Sequence, residues 1–247
     1  MASVKLNGTP WVKCAECGEI IYNGELNRNF RTCPKCSYHF SLGPRERISL
    51  LVDKSSLIKN ELDADAALLS DCRDRELYEQ SIITGIARIA SSNLAIAAID
   101  LSFSDRATGV FVCANIVNIV SQAIDQRLPF LLICTNNNDS QGKERAFLPG
   151  QMLSINAAIS RLLREKLLYV SVLAYSGSQG YFPGFAYVAD IVIAESKMPV
   201  ESRPGSQTTQ NVHSQAVQTA FKNGIVDMII PRIELRHTLT EILKFFR

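Results

Sequence analysis

Apolar positions along this chain follow two rhythms. Short apolar runs at Ile82 to Ile89 and Leu94 to Leu101 predict consecutive strands joined by a turn at Ser91-Ser92-Asn93, and Phe130 to Thr135, Tyr169 to Tyr175 and Ile191 to Glu195 predict three more. Between and after them the apolar spacing becomes helical. Ile116 to Ile124 is one such stretch, and Gln151 to Leu168 is another, with Leu153, Ala157, Ile159, Leu162 and Leu163 on its apolar face. Phe185 to Ala189 predicts a short helix, and Gln207 to Phe221 and Glu234 to Phe246 predict closing helices. Upstream, Gly43-Pro44 opens a helix over Arg45 to Val52 that carries Ile48, Leu51 and Val52 on one face, and the acidic stretch Asp63 to Tyr78 reads as a linker helix or loop. Strands alternating with helices define a layered α/β class.

The first forty residues follow neither rhythm and are organised by cysteine instead. Cys14-Ala-Glu-Cys17 and Cys33-Pro-Lys-Cys36 are two C-x2-C knuckles fifteen residues apart, the spacing of a four-cysteine zinc site. Each knuckle turns the backbone so that two thiolates aim at one point, and Gly18 gives the first of them conformational freedom. A single C-x2-C could be a redox pair, but two in register favour zinc. With four protein ligands the metal has no open position, so its role is structural. Ile20-Ile21-Tyr22 and Phe30-Arg31-Thr32 read as two strands of a ribbon hairpin around the polar turn from Asn23 to Asn29. The chain therefore divides into a zinc ribbon, residues 1–43, and a larger domain, residues 44–247.

Composition adds mostly exclusions. Of 247 residues 47% are hydrophobic and 20% charged, a balance that supports a sizeable core, and a net charge of +2 provides no global field for nucleic acid or an anionic membrane. Lys13, Arg28, Arg31, Lys35, Arg45 and Arg47 give the ribbon a local positive cast; this reads as a solvated face, with contact to nucleic acid or another phosphate-bearing ligand the sharper alternative. The N-terminus lacks a signal-peptide core and no stretch has the uninterrupted apolar length of a membrane span, so a soluble intracellular protein is expected. Of the remaining cysteines, Cys113 and Cys134 sit in apolar runs as small hydrophobes, and Cys72 is isolated. His39, His213 and His237 have no partner at metal-ligand spacing, and Ser178 lacks a nucleophile-elbow context.

The two knuckles, followed by Ser37-Tyr38-His39-Phe40 and Arg45-Glu46-Arg47-Ile48, resemble the opening of the β subunit of bacterial and plastid acetyl-CoA carboxylase carboxyltransferase. Ile83-Thr84-Gly85 with Leu94 to Ala98, Tyr169 to Leu173, Asp190 to Glu195 and Gly224 to Ile229 extend the resemblance in order along nearly the whole chain. It implies a crotonase-like spiral of ββα units behind the ribbon. It also implies a structural Zn2+, an acyl-CoA substrate, and carboxybiotin delivered on a separate biotin carrier protein. The chain would pair with an α-type subunit in a hetero-oligomer making malonyl-CoA for fatty-acid or polyketide supply, in the cytoplasm or the plastid stroma.

The family's glycine-rich loops present backbone N–H groups to the enolate and the biotin ureido oxygen, and this chain departs from them. One glycine pair is replaced by Asp105 and Arg106, a second falls opposite Asn138 and Asp139, and the third keeps only Gly180 after Gln179. Gly180, then Gly177 and Gly109, are the candidate oxyanion donors. Asp105, Asp139 and Glu144 are candidate acids or bases of an altered site, against the blander reading of solvated loop carboxylates, and Gly142 offers an alternative amide. Tyr175 and Tyr181 flank the third loop as pocket or packing residues. Carboxylates facing an enolate would oppose carboxyl transfer, which leaves two other readings: a catalytically silent pseudo-subunit, or a crotonase-fold enzyme for another acyl thioester reaction.

Overall fold

The computed structural model describes residues 10–60, 80–102, 106–136, 147–175, 183–196 and 212–246. In chain order these form β1 (Trp11–Lys13), β2 (Ile20–Tyr22), α1 (Asn23–Arg28), α2 (Pro44–Leu51), β3 (Ile58–Lys59), β4 (Ile82–Ile89), β5 (Ser92–Asp100), α3 (Arg106–Asp125), β6 (Phe130–Asn136), α4 (Pro149–Arg164), β7 (Tyr169–Tyr175), a 3-10 turn (Gly184–Ala186), β8 (Ile191–Glu195), α5 (Val212–Lys222), β9 (Met228–Ile230) and α6 (Arg232–Phe245). The expected element at Asp63 to Tyr78 lies outside the described residues.

β3 to β9 form one seven-stranded sheet in sequential order, antiparallel from β3 to β5 and parallel from β5 to β9. Both faces are covered, and the two-residue period of a strand sorts the side chains between them. On β5, Ala95, Ala97 and Ile99 face a core shared with α3 and α4, while Leu94, Ile96 and Ala98 face α2 and α6. The same alternation places Phe130, Leu132 and Cys134 opposite Leu131 and Ile133 on β6. Cys113 and Cys134 are both buried, as their apolar surroundings predict.

Three expectations need correction. The predicted ribbon hairpin between Ile20-Ile21-Tyr22 and Phe30-Arg31-Thr32 does not form. β2 pairs with the upstream β1, Val12 opposite Ile21, and the intervening polar stretch is the helix α1, which buries Leu26. Phe30 and Arg31 have φ of 54° and 55°, a left-handed conformation that no strand accommodates. Arg47 is not on a solvated face but buried. Finally, α3 is longer than its predicted core, and its segment Thr108–Asp125 has the length and mean hydropathy, 1.3, of a membrane-crossing helix. That apolar length packs against the sheet: Val112, Ile116, Ile119, Val120 and Ala123 are fully buried.

The ribbon is fastened to the sheet by a buried ionic clasp. Glu195, the last residue of β8, receives Nη1 of Arg47 from α2 at 2.7 Å and Nη2 of Arg232 from α6 at 3.1 Å. Arg232 also turns Nη1 toward the ribbon, donating to the carbonyls of Phe40 (2.9 Å), Phe30 and Arg31 (both 3.3 Å). Burial opposes the charge on Glu195, but the Arg47 and Arg232 guanidiniums more than offset this and hold its carboxyl well below the usual range. His39 Nδ1 stands 3.7 Å from Glu195 Oε2, beyond hydrogen-bond length, and burial pulls its pKa down.

Two variants test this architecture. A methyl group at Gly85 would run into the Ile58 carbonyl and the Leu57 side chain, so Gly85→Ala is expected to dislodge β3 at a cost of about 1–3 kcal/mol in urea unfolding. Because its folded pKa is depressed, Glu195 contributes fully above the ordinary carboxylate value of about 4.3 and loses that contribution as pH falls below it toward the folded value. Glu195→Gln should therefore cost about 3–5 kcal/mol at pH 7, with the gap to the native chain narrowing below pH 4.

Candidate functional site

The four ribbon cysteines are brought to one point. Their sulfurs all lie within 4.8 Å of one another, and the Cys14–Cys36 and Cys17–Cys33 pairs are each 3.7 Å apart. A tetrahedron with zinc–sulfur bonds of about 2.3 Å has edges of about 3.8 Å, so the donor set has the size and chemistry of a zinc site. A disulfide would need about 2.05 Å.

The two knuckles use the same backbone device. Cys14 N donates to Glu19 O and Gly18 N to Cys14 O; in the second, Cys33 N donates to Tyr38 O and Ser37 N to Cys33 O. Gly18 and Ser37 occupy equivalent positions, with φ of 72° and 61°. The first knuckle fills this left-handed position with glycine, whereas the second holds a serine there.

Burial pushes the Cys14 and Cys36 thiols up, while a backbone hydrogen bond from Glu19 brings Cys17 down. Buried thiolates need a cation, and four of them around Zn2+ supply a closed structural centre. Lys35 meets Glu19 at 2.6 Å beside it. His39 is buried under the ribbon as a packing residue and lies outside the cysteine cluster.

The candidate catalytic residues are positioned only in part. Gly109 lies buried in the first turn of α3. Gly177, Gly180, Asp105 and Asp139 lie outside the described residues, as do Asn138, Gly142, Glu144, Ser178, Gln179 and Tyr181. The strands that lead into those segments are nevertheless adjacent and parallel. Asp100 of β5 is in register with Thr135 of β6, and Asn136 of β6 with Tyr175 of β7, so the segments after β5, β6 and β7 all leave from one edge of the sheet. The carboxyl ends of parallel strands are where such sheets place their ligands.

From that edge an open groove of about 560 Å³ runs between α3 and α4, lined by Val110, Ala114 and Val117 on one side and Gly150, Gln151 and Ser154 on the other. Among the described residues no acidic or basic side chain lines it, so these walls suit an uncharged chain.

Sequence reasoning missed the clasp, although a signal was present. Arg47 and Arg232 sit on the apolar faces of their helices, in line with Ile48 and Leu51 and with Leu235 and Leu239, and a charge on such a stripe marks a buried partner.

A ribbon with a four-cysteine metal centre, docked on a layered α/β sheet whose helix-bearing strands release their loops at one edge, defines a zinc-ribbon protein of crotonase-like fold. Residues 11–36 match the acetyl-CoA carboxylase zinc finger domain. The chain is 30% identical over 249 residues to the acetyl-coenzyme A carboxylase carboxyl transferase subunit beta of Clostridium kluyveri, covering 94% of this chain and 85% of that protein. It is also 30% identical over 260 residues to the chloroplastic protein of Adiantum capillus-veneris, covering 97% and 84%. Among solved structures, the β subunit of Pseudomonas aeruginosa geranyl-CoA carboxylase superposes with a TM-score of 0.55 at 17% identity, over 90% of this chain and 41% of that one. A Pseudomonas malonate decarboxylase hetero-tetramer gives 0.52 at 16%, over 83% and 82%. The chain belongs to the acetyl-CoA carboxylase carboxyl transferase subunit beta family.

Freshly purified protein should contain one zinc per chain by metal analysis, and none at all would refute the site. Acidification should release the metal as the thiols reprotonate, and release should open the ribbon to protease, because two of the six buried residues in its core, Cys14 and Cys33, are themselves ligands.

Proposed function

We propose that this chain is the β-type subunit of a carboxyltransferase that moves a carboxyl group from carboxybiotin, carried on a separate biotin carrier protein, to acetyl-CoA to give malonyl-CoA. It works with an α-type subunit in a hetero-oligomer, in the cytoplasm or the plastid stroma. The reading divides the chain into a zinc ribbon, 1–43, and a carboxyltransferase domain, 44–247. The observation that carries it is the identity to carboxyl transferase β subunits along 94% of the chain.

The chemistry asks for amide donors. The acetyl group loses a proton from its methyl carbon, the resulting enolate carbon forms a bond to the carboxyl carbon, and the carbon–nitrogen bond to biotin breaks, leaving negative charge on the ureido group until it takes up the proton. Both charges gather on oxygen, and preorganised N–H groups stabilise them. Gly180 and Gly177, which follow β7 in sequence, and Gly109, in the first turn of α3, are the proposed donors. The groove between α3 and α4 offers an uncharged channel for the thioester arm. Asp105 and Asp139 are read as standing where the family has glycine, and carboxylates facing the enolate would oppose carboxyl transfer and slow turnover.

The zinc-loaded chain, mixed with its α-type subunit, should convert malonyl-CoA and free biotin to acetyl-CoA and carboxybiotin. Gly180→Pro, which deletes one amide donor, should lower kcat on the order of 10²-fold with zinc content unchanged. Tight binding of the α-type subunit with no turnover would instead establish a silent structural partner.

A further inference from the structure

The second zinc knuckle stands on a short loop, and the base of that loop is held by the sheet domain. Three rungs close the loop: Phe40 N donates to Arg31 O at 2.9 Å, Thr32 bridges His39, and Cys33 N donates to Tyr38 O at 2.8 Å. Arg232 Nη1 reaches the base from α6 and donates to both of its strands, to Phe40 O at 2.9 Å and to Arg31 O at 3.3 Å, with Phe30 O also at 3.3 Å. Nε and Nη2 of the same guanidinium hold Glu195 at the end of β8. One planar, rigid group therefore joins the loop carrying two metal ligands to the end of a sheet strand.

The backbone at that base needs holding. Phe30 and Arg31 are consecutive and both left-handed, with φ of 54° and 55°, a conformation that residues with a Cβ resist. Such strain persists only where the surroundings over-determine it. Two constraints meet here. From one side comes the knuckle: Arg31 is two residues from Cys33, and Phe40 packs in the ribbon core with Cys14 and Cys33. From the other side comes Arg232, itself buried, so that acceptors withdrawn from Nη1 would leave a charged donor unpaired.

Each constraint is harder to satisfy without the other. Metal loss frees the knuckle, lets Phe30 and Arg31 relax, and takes from Arg232 the carbonyls that complete it. Loss of Arg232 leaves the metal to impose the strained base alone. We infer that Arg232 is a positioning residue of the zinc site, and that through it metal occupancy is coupled to the packing of β8 and α6, so that the sheet domain senses zinc. The coupling is reciprocal: the metal tightens the sheet end by the same factor by which Arg232 tightens the metal. It holds whether or not the chain proves to be a carboxyltransferase.

The test uses the full-length chain and reads zinc affinity by competition with a chromophoric chelator. Arg232→Lys keeps a positive charge beside Glu195 but puts a single nitrogen in place of the planar fork, and it should bind zinc about tenfold more weakly. Cobalt(II) in its place should still give the absorption of a four-thiolate site, because no ligand has changed. Gly85→Ala, which strains the far side of the sheet, should leave zinc affinity where it was. In the native chain, stripping zinc should speed hydrogen exchange about tenfold at the end of β8, at Ser196 N, and in the first turns of α6, while β4 and β5 stay protected. Equal zinc affinity in Arg232→Lys and the native chain would overturn the coupling, and so would an equal loss in Gly85→Ala, which would mark general instability. Exchange in β8 and α6 that ignores zinc would overturn it too, and that arm decides the matter should Arg232→Lys fail to fold.

Discussion

A carboxylate buried at the end of a β-strand organises this molecule. Glu195 closes β8 and has two guanidiniums converging on it from helices far apart in sequence, Arg47 of α2 and Arg232 of α6. An ion so deeply buried persists only because its partners are held in place, and holding them fixes the two helices against one face of the sheet. Arg232 then passes the constraint outward, because the guanidinium that grips Glu195 also binds three carbonyls of the ribbon. The metal module is therefore seated by the same side chain that stabilises the core.

Much of the sheet was legible in the sequence because its strands are buried on both faces. Ile82–Ile89, Phe130–Asn136, Tyr169–Tyr175 and Ile191–Glu195 are near-continuous apolar runs, which is how such strands read. β3 and β9 escaped notice because two or three residues carry no period. The ribbon misled in a different way. Phe30-Arg31-Thr32 has the composition of a strand, but the positive φ of its first two residues comes from the tertiary turn into the second knuckle, which composition does not encode. The four cysteines were readable because ligand spacing is itself a geometric statement. The clasp was not, because pairing Arg47 with Glu195 requires knowing which strand end lies beside which helix.

Two parts of the chain thus stand under different constraints. The zinc site is complete within thirty residues of sequence and depends on local turns. The proposed oxyanion donors follow two separate strands, β5 and β7, whose ends lie at one edge of the sheet. That separation lets a chain of this family keep the sheet while the sequence that follows its strands varies.

The sequential strand order has a consequence for how the molecule is made. Each strand of the large sheet pairs with the one synthesised just before it, so the sheet can grow by addition at one edge as the chain emerges. The ribbon, too, can acquire its metal as soon as Cys36 is available. The clasp cannot form so early: Arg47 waits 148 residues for Glu195, and Phe40 waits 192 for Arg232. A metal-loaded ribbon therefore stays undocked until β8 and α6 have been made, and its seating reports that the sheet beneath it is in place.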